Sequence, residues 1–195
     1  MFLKIKKIPK VNWSSKKTYN FRPKFSTFFF LCFGLALFGL GEGLLIVSFI
    51  GASPWSVLAQ GISLNLNLSI GTITLLISVA VLILWIPLGQ RPGMGTIFNA
   101  LIIALMIDLC IKFIPTPSNY INQLILAIIS VIMVGVGGGI YLVSNLGAGP
   151  RDGLMIGLQK VTNLPIAGVR ATLEISVVSI GLYLGGTVGI GTLLF

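Results

Sequence analysis

Apolar and polar positions alternate along this chain in long blocks rather than with the short period of a soluble helix or strand. An apolar run extends from Phe25 to Ile50, interrupted only by Glu42. A second covers Ile70–Leu88 and is closed by the breaker GQRPG, and a third covers Gly95–Ile114 and ends at PTPSN. A fourth occupies Tyr120–Ser144, and a fifth runs from Pro165 to Leu184 with Arg170 and Glu174 inside it. A helix needs about 20 apolar residues to cross the hydrocarbon core of a bilayer, so each block predicts a membrane span. Between the first two spans, Ser53–Asn67 carries Trp55, Leu58, Ala59, Ile62 and Leu66 at helical spacing. Between the last two, Gly149–Asn163 carries Leu154, Leu158 and Val161. Each segment has proline at its first helical position (Pro54, Pro150), where the missing N–H costs nothing. Both therefore read as short amphipathic helices that lie at the interface or dip into the bundle.

Composition sharpens this picture. Hydrophobic residues make up 55% of the 195 and charged residues 9%, with a mean hydropathy of +1.03, against about a quarter charged in soluble domains. The formal charge of +9 belongs to one place: eight of the 13 basic residues precede the first apolar run. Residues 1–24 thus form a basic tail, read as a cytoplasmic topology signal that also meets anionic headgroups. A cleavable signal peptide has a shorter apolar stretch and a small-residue cleavage site, so the tail is not read as one. Cys32 and Cys110 sit inside apolar runs as free thiols, and the chain contains no histidine. That excludes histidine-based metal sites and Ser-His hydrolases. No cofactor, metal or nucleic acid is expected.

The chain also repeats itself. At an offset of 96 residues, VSFIGASPWS (Val47–Ser56) aligns with VSNLGAGPRD (Val143–Asp152), and Gly39, Gly41 and Gly43 align with Gly135, Gly137 and Gly139. Gly61/Gly157, Asn67/Asn163, Gly93/Gly189 and Thr96/Thr192 stay in register without a gap. Apolar composition alone would not hold glycine, proline and asparagine in register, so this reads as an internal duplication. Each copy holds three spans, an odd number, so the second copy enters the membrane inverted. The expected fold is an all-α integral membrane protein of two inverted-topology three-helix repeats, residues 25–114 and 120–195. The sixth helix begins at Gly191–Thr192 and is expected to be truncated in this chain. With the tail in the cytoplasm, Arg91, Arg151 and Lys160 also face inward, and the uncharged connection Gly51–Ser69 faces outward.

The stretches GASPWSVLAQGIS, RPGMGTIFNALIIALMIDL, GAGPRDGLMIGL, RATLE at Arg170–Glu174 and LGGTVGIGT resemble the YczE/YyaS/YitT group of bacterial integral membrane proteins, its YczE-type branch most. The resemblance covers nearly everything after about residue 33 and implies a multi-pass plasma-membrane protein of two three-helix repeats. It implies no reaction. Proteins of the group usually carry a sixth helix after the final GxGT, from which this chain departs.

Candidate chemistry lies where the copies differ. Arg151 and Asp152 open the second amphipathic helix where the first copy has Trp55 and Ser56. Asp there suits the helix dipole, whereas Arg opposes it and calls for an acidic partner, an anion or a lipid phosphate. Arg170 and Glu174, spaced i,i+4, replace Thr74 and Ser78. Charged residues at a span centre cost about 2.5–3.5 kcal/mol each on translocon scales. They read either as an internal strut or as part of a solute or proton pathway. Glu42, in GLGEGLL, stands opposite Gly138 and is expected to seek Arg170 or Arg151 across the repeat interface. Asp108 and Lys112 read as a local pair. The glycines at 39, 41, 43, 135, 137 and 139, with Pro54 and Pro150, read as packing or helix-breaking positions. GLGEG is not half of a dinucleotide fingerprint, because no strand precedes it.

The expected function is a transporter or permease, not an enzyme, for a small anionic or amphipathic solute. Glu42, Arg170 and Glu174 would line the path, with Arg151 and Asp152 at its inner mouth. The alternative is a non-transporting accessory protein that docks another membrane protein through its glycine-lined faces. Expected partners are the lipid bilayer, a small-molecule substrate, and a second copy or membrane partner. The expected location is the bacterial cell membrane, multi-pass, with the N-terminus cytoplasmic.

Overall fold

Among the described residues, four helices are long and apolar enough to cross a membrane: α1 (Phe25–Val47), α4 (Met94–Phe113), α5 (Tyr120–Val143) and α7 (Ile166–Tyr183). The computed structural model describes residues 11–195, so Lys4, Lys6, Lys7 and Lys10 of the basic tail lie outside the described residues. Among the described residues the regular structure is entirely helical, and the remaining helices are α2 (Pro54–Leu66), α3 (Ile70–Trp85), α6 (Pro150–Thr162) and α8 (Ile190–Leu194).

The second predicted span is shorter than its apolar run. At 1.5 Å per residue, the 16 residues of α3 reach about 24 Å, less than the ~30 Å hydrocarbon core. Pro87, which has no N–H to continue the helical ladder, and Gly89 at φ +64° turn the chain there. Only with α2, from which it bends by 113°, does α3 make a fifth candidate span. α8 begins after Gly189 as α4 begins after Gly93, each start closed by a threonine (Thr192, Thr96) whose hydroxyl accepts from the preceding glycine's N–H.

Local structure recurs at the 96-residue offset. α2 and α6 have matching bounds, each with proline first and an asparagine (Asn67, Asn163) closing it in the left-handed region. The left-handed turns recur too: Phe49 with Asn145, Gly51 with Gly147, and Gly89 with Gly185. Tertiary contacts follow the same exchange. α2 packs on α7 as α6 packs on α3, and α1 packs on α4 as α5 packs on α8. The N–H of Gly95 donates to Leu146 O (2.8 Å), and its counterpart Gly191 donates to Ile50 O (2.9 Å). α1 and α5 run antiparallel through the centre with backbones close enough that a Cβ on Gly34, Gly41 or Gly137 would strike the neighbouring backbone. Leu31, Leu35, Ile103 and Ile107 fill the core beside them.

The antiparallel crossing puts the α1–α2 loop at one end and the α5–α6 loop at the other. Ser15 and Asn145 bind each other's chain segments, and Gly93 abuts Leu146. The described part of the tail therefore shares one end with the α3–α4 and α5–α6 loops. The two short helices fold back into the bundle from opposite ends, their N-terminal turns buried and their C-terminal turns exposed.

Candidate functional site

Glu42 projects from α1 at a point where no solvent reaches it (0% exposed). A carboxylate there must be answered by hydrogen bonds and a counter-charge, and both short helices supply them. Ser53 Oγ (2.5 Å) and Ser56 Oγ (2.7 Å) donate to Glu42 Oε2. Ser53 occupies the N-cap of α2 yet leaves that helix's own N–H groups uncapped, because its hydroxyl is committed to Glu42. The carboxylate thus sits at the positive end of α2, where negative charge is favoured. From the other side, Arg151 Nη1 approaches Glu42 Oε1 at 3.5 Å, and its guanidinium lies 5.4 Å from the Trp55 ring centroid. This pairing answers why an arginine is tolerated against the dipole of α6. A carboxylate and an aromatic face from the other half hold it.

Asp152 accepts a hydrogen bond from the hydroxyl of Tyr141, which is buried on α5 with its ring edge-on to Phe38. Trp85 Nε1 donates to Pro150 O (3.0 Å), and Thr96 Oγ1 donates to Ala148 O (2.7 Å), so α3 and α4 fix the start of α6. On α7, Arg170 Nε donates to Glu174 Oε1 at 2.7 Å, with the arginine side chain 56% exposed.

These groups surround a cavity of about 320 Å³. Arg151, Asp152, Arg170 and Glu174 line it, together with Asn99 and the apolar surfaces of Trp55, Phe38, Met155 and Leu173. Glu42 is not in the lining; it stands behind Arg151. Of the predicted site residues, the fold therefore brings the four second-copy charges to one cavity wall and couples Glu42 to them through Arg151, its partner in preference to Arg170. The glycines divide. Gly39, Gly41, Gly43 and Gly137 pack against neighbouring helices, whereas a Cβ on Gly135 or Gly139 would meet nothing within 4 Å, because both face the cavity. None breaks its helix, since α1 and α5 run through without interruption. Pro54 and Pro150 start helices.

Asp108 differs from expectation. Its carboxylate accepts from Ser69 Oγ (2.6 Å) and Gly71 N (2.7 Å) at the start of α3, and the ion pairs among the described residues do not include Lys112. Asp108, near the end of α4, faces the first turn of α3, whose Gly71 N–H has no intrahelical partner, and its carboxylate is taken up there rather than by the lysine on its own helix. Sequence reasoning missed Ser53, Ser56, Tyr141 and Asn99. The serines flank Pro54 and carry a signal, since two hydroxyls in the first turn of a buried helix need a partner. Tyr141 and Asn99 carry none beyond being polar in apolar spans. Among the described residues no three of His, Cys, Asp and Glu come together as a metal site would require.

The fold and the site define a multi-helix membrane protein with a small, charged and partly apolar cavity between packed helices. The chain belongs to a family of unknown function (DUF6198), whose match covers residues 25–195. It is 41% identical to an uncharacterized protein of Haemophilus influenzae over 192 residues, 98% of this chain and 87% of that one. It is 30% identical to the uncharacterized membrane protein YczE of Bacillus subtilis (86% of this chain, 78% of that one). It is also 30% identical to the uncharacterized protein YyaS of the same organism (83% and 82%). The YczE-type resemblance is thereby shown. No solved structure matches.

Proposed function

We propose that this protein is a permease that binds a small amphipathic solute in the cavity and moves it across the cell membrane by rocking of residues 25–114 against residues 120–195. The observation that carries this reading is the cavity itself: four charged side chains line a cleft between apolar helices. Intramembrane charges are costly and mark solute or ion paths. The exchange of contacts between the halves supports an inverted pair of repeats, and sites in such proteins lie at the interface of the repeats near the midplane. The shared end of the tail, Arg91 and Lys160 supports a cytoplasmic N-terminus under the positive-inside rule. An accessory protein that only docks a partner would have a solid interior, so the cavity favours transport.

Glu174→Gln tests the reading, because Glu174 lines the cavity and its only ion pair among the described residues, with Arg170, is largely exposed, so its loss leaves the fold intact. Proteoliposomes are loaded with unlabelled solute and assayed for counterflow of labelled amino acids and short-chain carboxylates. Saturable uptake by the wild type that Glu174→Gln lowers or abolishes is the expected result. No saturable uptake of any of these solutes by monodisperse protein would favour docking instead.

A further inference from the structure

We infer that the described part of the N-terminal tail is a built site for anionic phospholipid headgroups, and that lipid bound there clamps the tail onto the α5–α6 loop. A basic tail that merely hangs from the first helix meets lipid in any conformation. Here the segment Trp13–Asn20 is docked. Ser15 N donates to Ser144 O (3.0 Å) and Ser14 Oγ donates to Val143 O (2.6 Å), so the tail takes up carbonyls at the end of α5 that have no intrahelical partner. From the loop, Asn145 Nδ2 donates to Ser15 O (2.8 Å), and Asn145 Oδ1 accepts from Thr18 Oγ1 (3.2 Å). On the other side, Thr27 Oγ1 donates to Trp13 O and the Trp13 ring stacks on Phe30, with centroids 4.6 Å apart, which ties the segment to α1. Ser15 is buried at the centre of these contacts.

Docking decides what the segment shows outward. Lys16, Lys17, Arg22 and Lys24 are exposed, with Tyr19, Phe21 and Phe25 exposed between and beside them. Cations that meet phosphate and aromatic rings at headgroup level are the two components of an interfacial anchor. Exposed Arg91 and Lys160 share this end of the molecule. The ion pairs among the described residues include none of these cations. All four acidic residues of the chain are engaged elsewhere: Glu42 by Ser53, Ser56 and Arg151, Asp108 by Ser69 and Gly71, Asp152 by Tyr141, and Glu174 by Arg170. The surface therefore fits an anion from outside the chain, and the phosphates nearest the end of a membrane bundle are those of the bilayer. Because the docked segment is already ordered, headgroups bind it without the entropy cost of fixing a free tail.

The loop that the tail grips leads to the cavity. Beyond Asn145 it is held by α4, where Gly95 N donates to Leu146 O (2.8 Å) and Thr96 Oγ1 to Ala148 O (2.7 Å), and it delivers Arg151 and Asp152 to the cavity wall. Lipid binding and docking are linked: a change that undocks the segment weakens lipid binding by the factor with which lipid opposes undocking. A tail bound by charge alone has no such link, and the link holds whether or not the protein transports a solute.

The full chain is melted in dodecylmaltoside with increasing phosphatidylglycerol, with phosphatidylcholine and with inorganic phosphate. Phosphatidylglycerol should raise the melting temperature saturably, and the other two should not. Lys16→Gln and Lys17→Gln should each raise the half-saturating lipid concentration about fivefold, the weight of one basic residue near an anionic surface. Asn145→Gly keeps every charge and the left-handed turn at φ +54° but loses both side-chain bonds to the tail, and should raise it at least as much. Unchanged phosphatidylglycerol affinity in Asn145→Gly would make the tail a free polybasic anchor and overturn the inference. Equal stabilisation by phosphatidylcholine or by inorganic phosphate, or none by any of the three, overturns it too. A second readout stands if Asn145→Gly fails to fold. In a background lacking Cys32 and Cys110, Ser15→Cys should react with an uncharged soluble maleimide at least about fivefold more slowly in phosphatidylglycerol nanodiscs than in phosphatidylcholine ones. Equal rates overturn the clamp.

Discussion

At the residue scale the dominant feature is a carboxylate with no access to water. Glu42 holds two serine hydroxyls and one guanidinium in place, so its removal strands three polar groups. Glu42→Ala should destabilise the protein by about 2–3 kcal/mol. That is less than the ~3–5 kcal/mol of a fully buried pair, because Arg151 retains partial exposure. Glu42→Gln keeps an acceptor for Ser53 and Ser56 and should cost less than half as much; thermal denaturation in one detergent compares the two. A second prediction concerns Phe49, a bulky residue held at φ +62° where the other half has Asn145 at φ +54°. The left-handed conformation costs an ordinary side chain about 1–2 kcal/mol, and asparagine adopts it readily. Phe49→Asn should therefore raise the melting temperature, by the equivalent of about 1 kcal/mol; a drop would mean the aromatic ring contributes more than the backbone loses.

At the element scale, one helix carries glycines with opposite jobs. On α5, a Cβ at Gly137 would lie 2.5 Å from Phe38 N and 2.6 Å from Gly34 O, both backbone atoms of α1. Gly137→Ala should force α1 and α5 apart and cost about 1–3 kcal/mol, as overpacking does. Gly135→Ala and Gly139→Ala face open space and should stabilise the helix by about 0.5–1 kcal/mol, the usual gain of alanine over glycine within a helix. Unfolding midpoints of the three variants check this, and equal effects would remove the distinction between packing face and cavity face. GxxxG spacing in the sequence does not separate these roles, because the three positions differ only in what stands across from them.

For the whole molecule, the packing sets which segments share an end. Single cysteines at Lys17, Arg91 and Lys160, in a background lacking Cys32 and Cys110, should label together from one side of intact membranes. Cysteines at Asn67 and Asn119 should label from the other. Labelling of Lys160 with Asn67 would overturn the antiparallel arrangement of α2 and α6 on which the inverted reading depends. The same arrangement leaves the molecule chemically asymmetric. Both halves build alike, yet every charge on the cavity wall comes from the second half, and the first contributes Glu42 and the Trp55 face behind and beside them.

Long apolar blocks, proline starts and asparagine stops determined the helices locally, because membrane length and capping chemistry act over a few residues. The bounds of α2 and α6 were legible in Pro54/Asn67 and Pro150/Asn163 for that reason. The recurrence of local structure was legible as well, since the glycines in left-handed turns recur at the 96-residue offset. The length of α3 was not, because hydropathy continues past Trp85 while the backbone turns. Nor was the site legible in full. Glu42, Arg151, Asp152, Arg170 and Glu174 stood out as charges in lipid, but their partners are separated from them by up to 109 residues. Only tertiary packing decides that Arg151 faces Glu42 and Trp55, and that Gly137 closes a backbone contact between α5 and α1. Those outcomes depend on which surfaces meet when two similar halves interlock, and the order of residues along either half does not encode that distance.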